Sequence, residues 1–131
     1  MGIGVVTANV PFLTLIFILF SVKHVLADFV LQTSWMWRTK DKEHGWIAAL
    51  AAHAGCHAAF TLALALVINP ALWWLGVVDF ALHATIDRAR AVLGRRLGLV
   101  PGRSGWWWLF GTDQALHQLT HFAYAIALAV A

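Results

Sequence analysis

The chain has 131 residues, 61% hydrophobic and 11% charged, with a formal charge of +3. A soluble domain carries about a quarter charged residues. That deficit and a mean hydropathy of +0.74 point to an integral membrane protein: one domain, with room for about four spans of ~20 residues. They exclude a separate soluble catalytic domain, and the basic excess is expected in topology-setting loops rather than on a nucleic-acid surface.

Taken in chain order, the first predicted span covers 10–33. It has no basic leader and no small-residue cleavage site, so it reads as a span and not a signal peptide. A polar connection follows, from Arg38 to Gly45. The second span covers 46–68 and holds Cys56, the single cysteine, which is expected to be a small buried residue. Asn69-Pro70 marks a tight turn, with Pro70 suited to the first turn of the next helix. The third span, 71–92, continues into an arginine-rich end. Gly94 to Gly105 reads as a loop, and Thr112 or Asp113 as the cap of a fourth span covering 112–131. The expected fold is all-α: a four-helix transmembrane bundle.

Eight of the nine Lys and Arg residues flank two connections: Arg38, Lys40 and Lys42 in one, and Arg88, Arg90, Arg95, Arg96 and Arg103 around the other. The positive-inside rule puts both connections in the cytoplasm and both termini outside. Trp35, Trp37, Trp46 and Trp106 to Trp108 then fall at the inner interface, and Trp73 and Trp74 at the outer one.

The chemistry lies in four stretches with polar residues four apart: His24-x3-Asp28-x3-Gln32, His53-x3-His57, Asp79-x3-His83-x3-Asp87 and Asp113-x3-His117-x3-His121. Residues four apart share one face of an α-helix, so each stretch is a polar stripe on an apolar helix. Six of the seven histidines and four of the six acids lie in these stripes. The topology puts all four stripes in the cytoplasmic half of the bilayer. A charged group facing lipid costs on the order of 3 kcal/mol even on the lenient insertion scale, so the stripes are expected to turn inwards and meet. Asp79 is placed deeper than the rest, with Lys23 as a candidate counter-charge.

Lys23-His24-Val25-Leu26-Ala27-Asp28-Phe29-Val30-Leu31-Gln32, the histidine pair, His83-x3-Asp87 and Asp113-Gln114-x2-His117-x3-His121 together resemble a bacterial family. It is the group of small polytopic inner-membrane proteins catalogued as domain of unknown function 3307. The resemblance covers nearly the whole chain and implies a location and a motif set. The motifs are also similar, by analogy alone, to those of membrane-bound metal-dependent hydrolases.

The stripes suggest a divalent metal site, with zinc first and iron or manganese as alternatives. The expected ligands are His53, His57, His117 and His121, joined by Asp28, Asp87 and His24. Asp113 or His83 would serve as general base or support the ligands. Arg88, Arg90 and Gln32 are the expected substrate contacts. The expected function is a membrane-embedded hydrolase acting on a lipid or lipid-linked anion at the cytoplasmic leaflet, with membrane lipids as partners, no nucleic acid, and an oligomer left open. The alternatives are a cation or proton relay, for which intramembrane Asp and His are also suited, and a structural subunit with a polar core.

Overall fold

The computed structural model describes residues 9–130, which are all-helical, with no strand among them. Residues 1–8 and Ala131, the last residue of the fourth predicted span, lie outside the described residues. Helix α1, Val10–Val25, opens on Asn9, whose side chain accepts from the Phe12 N–H at 3.1 Å, with Pro11 in the first turn. It runs on into a single π-helical turn, Leu26–Val30. A short helix α2, Ser34–Thr39, is capped by the Thr33 hydroxyl. Helix α3, Ile47–Ile68, follows, then a 3₁₀ turn at Pro70–Leu72, as Asn69-Pro70 suggested. Helix α4, Leu75–Arg96, and helix α5, Ser104–Val130, complete the described residues.

Two boundaries differ from expectation. Helix α5 begins eight residues before Thr112, so neither Thr112 nor Asp113 is a cap. The Thr112 hydroxyl instead donates back to the Trp108 carbonyl within the helix. As its arginine-rich end suggested, α4 continues to Arg96; it closes at Gly98 (φ +60°), so the loop begins there and not at Gly94. There Leu99 N donates to Gly94 O and Gly98 N to Arg95 O, a Schellman closure that needs a left-handed residue.

The long helices form a ring, with α1 against α5, α5 against α4, α4 against α3, and α3 touching α1. Helices α3 and α4 come closest at Gly76, where a Cβ would stand 2.9 Å from Leu62 Cβ. Small residues let helix backbones approach in this way. The core is layered along the bundle. At one end Ile16, Phe20, Ala65, Leu75, Tyr124, Ala125 and Leu128 form an apolar plug. Beside it lies Lys23, whose ammonium donates to Asp79 at 2.6 Å and to Thr61 at 3.0 Å. The histidines follow, and last comes the α2–α3 connection.

Two stretches, Val10–Val30 and Ile47–Ile68, are long and apolar enough to cross a membrane. Helices α4 and α5 are less apolar: α4 carries Asp79, His83 and Asp87 inwards and ends in Arg88, Arg90, Arg95 and Arg96, and α5 carries Asp113, His117 and His121 inwards. Val77, Phe80, Leu82, Leu116, Leu119, Phe122 and Ile126 on these helices are exposed.

Candidate metal centre

The buried faces of the helices step by four residues. On α3 this face carries Ala49, His53, His57, Thr61 and Ala65, and on α4 it carries Asp79, His83, Asp87 and Ala91. On α5 the same step gives Asp113, His117 and His121. A four-residue step drifts by about 40° each time on a 3.6-residue helix. On α1 the π turn counters that drift. Its wide turn, closed by Leu31 N donating to Leu26 O at 2.9 Å, keeps Asp28 on the same side as His24. Single π turns of this kind recur at functional sites.

The stripes converge. His24, His53, His57, His83, His117 and His121 are all buried, and their Nε2 atoms point into one shared volume. Asp28 Oδ1 is 2.9 Å from His57 Nε2 and 3.3 Å from His53 Nε2, while its Oδ2 is 3.1 Å from His24 Nε2. Asp87 Oδ1 is 3.1 Å from His117 Nε2, and His53 Nε2 is 3.3 Å from His83 Nε2. The rings of His57, His83 and His117 stack, with centroids 3.7 and 4.1 Å apart.

Three overlapping groups hold ligand atoms within 4.8 Å of one another: Asp28, His53, His57 and His83; His24, His57 and His121; and His83, Asp87 and His117. Ligands ~2.1 Å from a shared tetrahedral ion stand about 3.4 Å apart, a spacing that several of these pairs already have. The donor set is nitrogen and carboxylate oxygen, which suits zinc, iron or manganese. The hydrogen bonding also leaves room for a cation. His53 Nε2 faces Asp28, Asp87 and His83 at once, and its one proton can serve one of them. The Nδ1 atoms of His24, His53, His57, His83 and His121 have no partner among the described residues, while the Asp28 carboxylate facing His57 Nε2 can only accept and so, without an ion, puts that ring's proton on Nε2. Cys56 is half-buried and belongs to none of the three groups.

A cleft of about 210 Å³ opens onto the centre, lined by Asp28, Gln32, Lys40, Asp87, Arg90 and Asp113 among others. Phe29, Trp37, Trp106 and Phe110 form its apolar walls. Asp113 has one oxygen held by the Gln114 amide at 3.0 Å. Its other oxygen has no hydrogen-bond partner among the described residues and stands 3.7 Å from His117 Nε2. Arg90 reaches Asp41 at 2.5 Å and Asp113 at 3.6 Å. Gln32 lies at the mouth, but its amide donates to the Asp28 carbonyl.

Every expected ligand thus lies in the cluster, and His83, expected as a base, lies among them. Arg88 does not reach the cleft. One residue past Asp87 it is rotated by about 100°, packs over Trp46 at 3.9 Å and donates to the Lys42 carbonyl. Sequence reasoning missed Lys40, which donates to Asp87 at 2.5 Å, because its basic loop read as a topology signal alone. It also gave no role to Gln114, whose carbonyl lies 3.1 Å from His24 Nε2, although Gln114 stands beside Asp113 in the motif that carries the resemblance.

Fold and centre together define an all-helical protein with apolar flanks and a buried histidine–aspartate core. The chain belongs to the family described as protein of unknown function (DUF3307), whose model matches residues 16–130 and so spans the whole cluster. No curated protein and no solved structure matched it.

Proposed function

We propose that the chain is a multi-pass protein of the bacterial inner membrane that binds one or two divalent ions and hydrolyses a lipid or lipid-linked anionic substrate at the cytoplasmic leaflet. The observation that carries this reading is the convergence of six imidazoles and two carboxylates from four helices, beneath a polar cleft. Support for the membrane comes from the inverted distribution of polarity. Lys23, Asp79, Asp87 and six histidines are buried, while Leu15, Ile18, Val22, Val67, Leu119 and many others are exposed. In water that arrangement would expose large apolar area and bury charge at a cost; in lipid both preferences reverse. Four spans with both termini outside would put the cleft at the cytoplasmic face, beside the basic connections.

A bound divalent ion would supply Lewis acidity towards water and the scissile group. Asp28, His53 and His57 would hold it, with His83, Asp87 and His117 as a second set. The Asp113 oxygen that lacks a hydrogen-bond partner among the described residues would accept a proton from a water in the cleft. Arg90 would attract the anionic group, and the aromatic walls would take adjoining apolar atoms.

Metal content of the detergent-purified protein, measured by plasma mass spectrometry before and after chelation, tests this reading. The expected result is about one or two equivalents of zinc, iron or manganese. His53→Ala and His117→Ala should each reduce that content without abolishing insertion, and chelation should remove hydrolysis of short-chain phospholipids. Background metal in the wild type after reconstitution would sink the proposal. A proton relay is the second reading. It is favoured by the chain of contacts from His121 Nε2 through Lys23 Nζ, 3.3 Å away, to Asp79 and Thr61. The plug of Ile16, Phe20 and Leu128 beyond it weighs against a complete path.

A further inference from the structure

Lys40 is the one ammonium, among the described residues, in contact with the candidate ligands of the second set. It stands at the C-terminal cap of α2, nine-tenths buried, with its Nζ aimed into the cluster at Asp87 Oδ2. The arginines that follow Asp87 on α4 make this contact selective. Three residues further on, Arg90 is held by Asp41; Arg95 donates to the Asp41 carbonyl; and Arg88 donates to the Lys42 carbonyl. The connection from Lys40 to Lys42 is therefore strapped to α4, which aligns the Lys40 side chain with one carboxylate.

The cleft carries more negative than positive charge. Four carboxylates, Asp28, Asp41, Asp87 and Asp113, line it against two fixed cations, Lys40 and Arg90. With neutral imidazoles the net charge is −2, four negative groups against two positive ones. Two divalent ions would reverse that sign, and in so buried a place an uncompensated charge is expensive. An ion on His83, Asp87 and His117 would also claim the carboxylate that Lys40 now holds. Both strains are relieved together if the ammonium leaves Asp87 and an anion enters beside it.

Resting on the metal-dependent reading above, we infer that Lys40 holds on Asp87 the place of a second divalent ion, and that loading this ion releases Lys40 to bind, with Arg90, a phosphate group in the cleft. The cleft, about 210 Å³, has room for a phosphate, and an attached chain would run along its aromatic walls. Lys40 would then be a substrate-binding residue that couples metal loading to anion affinity. Phosphate suits the pair because a guanidinium and an ammonium can share its oxygens through charge-assisted hydrogen bonds.

The test uses the full chain in detergent, titrated with Zn²⁺ and then, when loaded, with inorganic phosphate or with dihexanoyl phosphatidic acid. In the wild type, phosphate should bind only after Zn²⁺. Lys40→Gln should bind the second Zn²⁺ about tenfold more tightly and phosphate about tenfold more weakly, the scale of a close charge pair. Lys40→Arg should restore phosphate binding, and Lys42→Gln, on the exposed side of the same connection, should match the wild type. A second readout needs no variant. Labelling of Lys40 by an amine-reactive reagent, followed by mass spectrometry, should rise on Zn²⁺ loading and fall again with phosphate. Tighter binding of the phosphatidic acid would identify a lipid headgroup, and equal binding a free phosphate. Zn²⁺ binding that Lys40→Gln leaves unchanged, with Lys40 labelling also unchanged, overturns this inference alone. Failure of Zn²⁺ to bind wild type and variant alike overturns the metal reading and this inference with it.

Discussion

Lys23 and Asp79 form the contact whose energetics are clearest. Both are almost fully buried, and Thr61 donates to the same Asp79 oxygen at 2.6 Å. A buried ion pair contributes little net stability against an apolar replacement, yet removing one partner strands the other charge. Lys23→Met is therefore expected to cost about 3–5 kcal/mol, and adding Asp79→Leu should recover most of that loss; chemical unfolding in detergent would measure both. An equal loss in single and double variants would mean that the pair is held for more than mutual neutralisation. Sequence suggested this pairing from opposite charge and depth. It could not suggest that the Thr61 hydroxyl completes the site, since threonines are common in apolar helices without any partner but their own backbone.

At the scale of the element, glycines separate turn from packing. Gly98 has φ +60° and closes α4, so Gly98→Ala should cost about 1 kcal/mol through left-handed strain. Gly94 lies inside the same helix with ordinary room for a Cβ, its nearest neighbour being Leu109 Cδ2 at 3.5 Å. Gly94→Ala should accordingly gain about 0.5–1 kcal/mol, and thermal unfolding of the pair should move in opposite directions. Gly76 faces Leu62 Cβ at 2.9 Å, and Gly76→Leu would push α3 and α4 apart and carry His53 and His83 with them. The turn between α3 and α4 was legible from its local signal, Asn69-Pro70. The π turn at Leu26–Val30 was not, because no residue type marks a π turn apart from an α-helical one. The start of α5 was misjudged because Gly105, Gly111 and the tryptophans resemble a loop in composition, while the helix runs through them.

For the whole molecule the decisive property is polarity turned inwards. Two helices are long and apolar enough to cross a membrane, and the four-span topology proposed above needs α4 and α5 to cross as well. A reporter fused after Ala131 should then be active on the periplasmic side, and one inserted at Glu43-His44 only in the cytoplasm. Activity of the second reporter outside would reverse the orientation and remove the cytoplasmic-leaflet reading, leaving the cluster intact.

By itself the sequence determined the helical class, the presence of two helices apolar enough to cross a membrane and the inward stripes, because each rests on local composition and periodicity and on the cost of charge in an apolar medium. It also put the expected ligands on shared helix faces, since residues four apart lie close on a helix, although Asp28 keeps to the side of His24 only through the π turn. Tertiary structure alone decided which stripes touch, that Lys40 and Gln114 join them, and that Arg88 turns away. Those facts depend on helix order and on the path of the α2–α3 connection. They bring together groups such as Lys40 and Asp87, 47 residues apart, which no local pattern can specify.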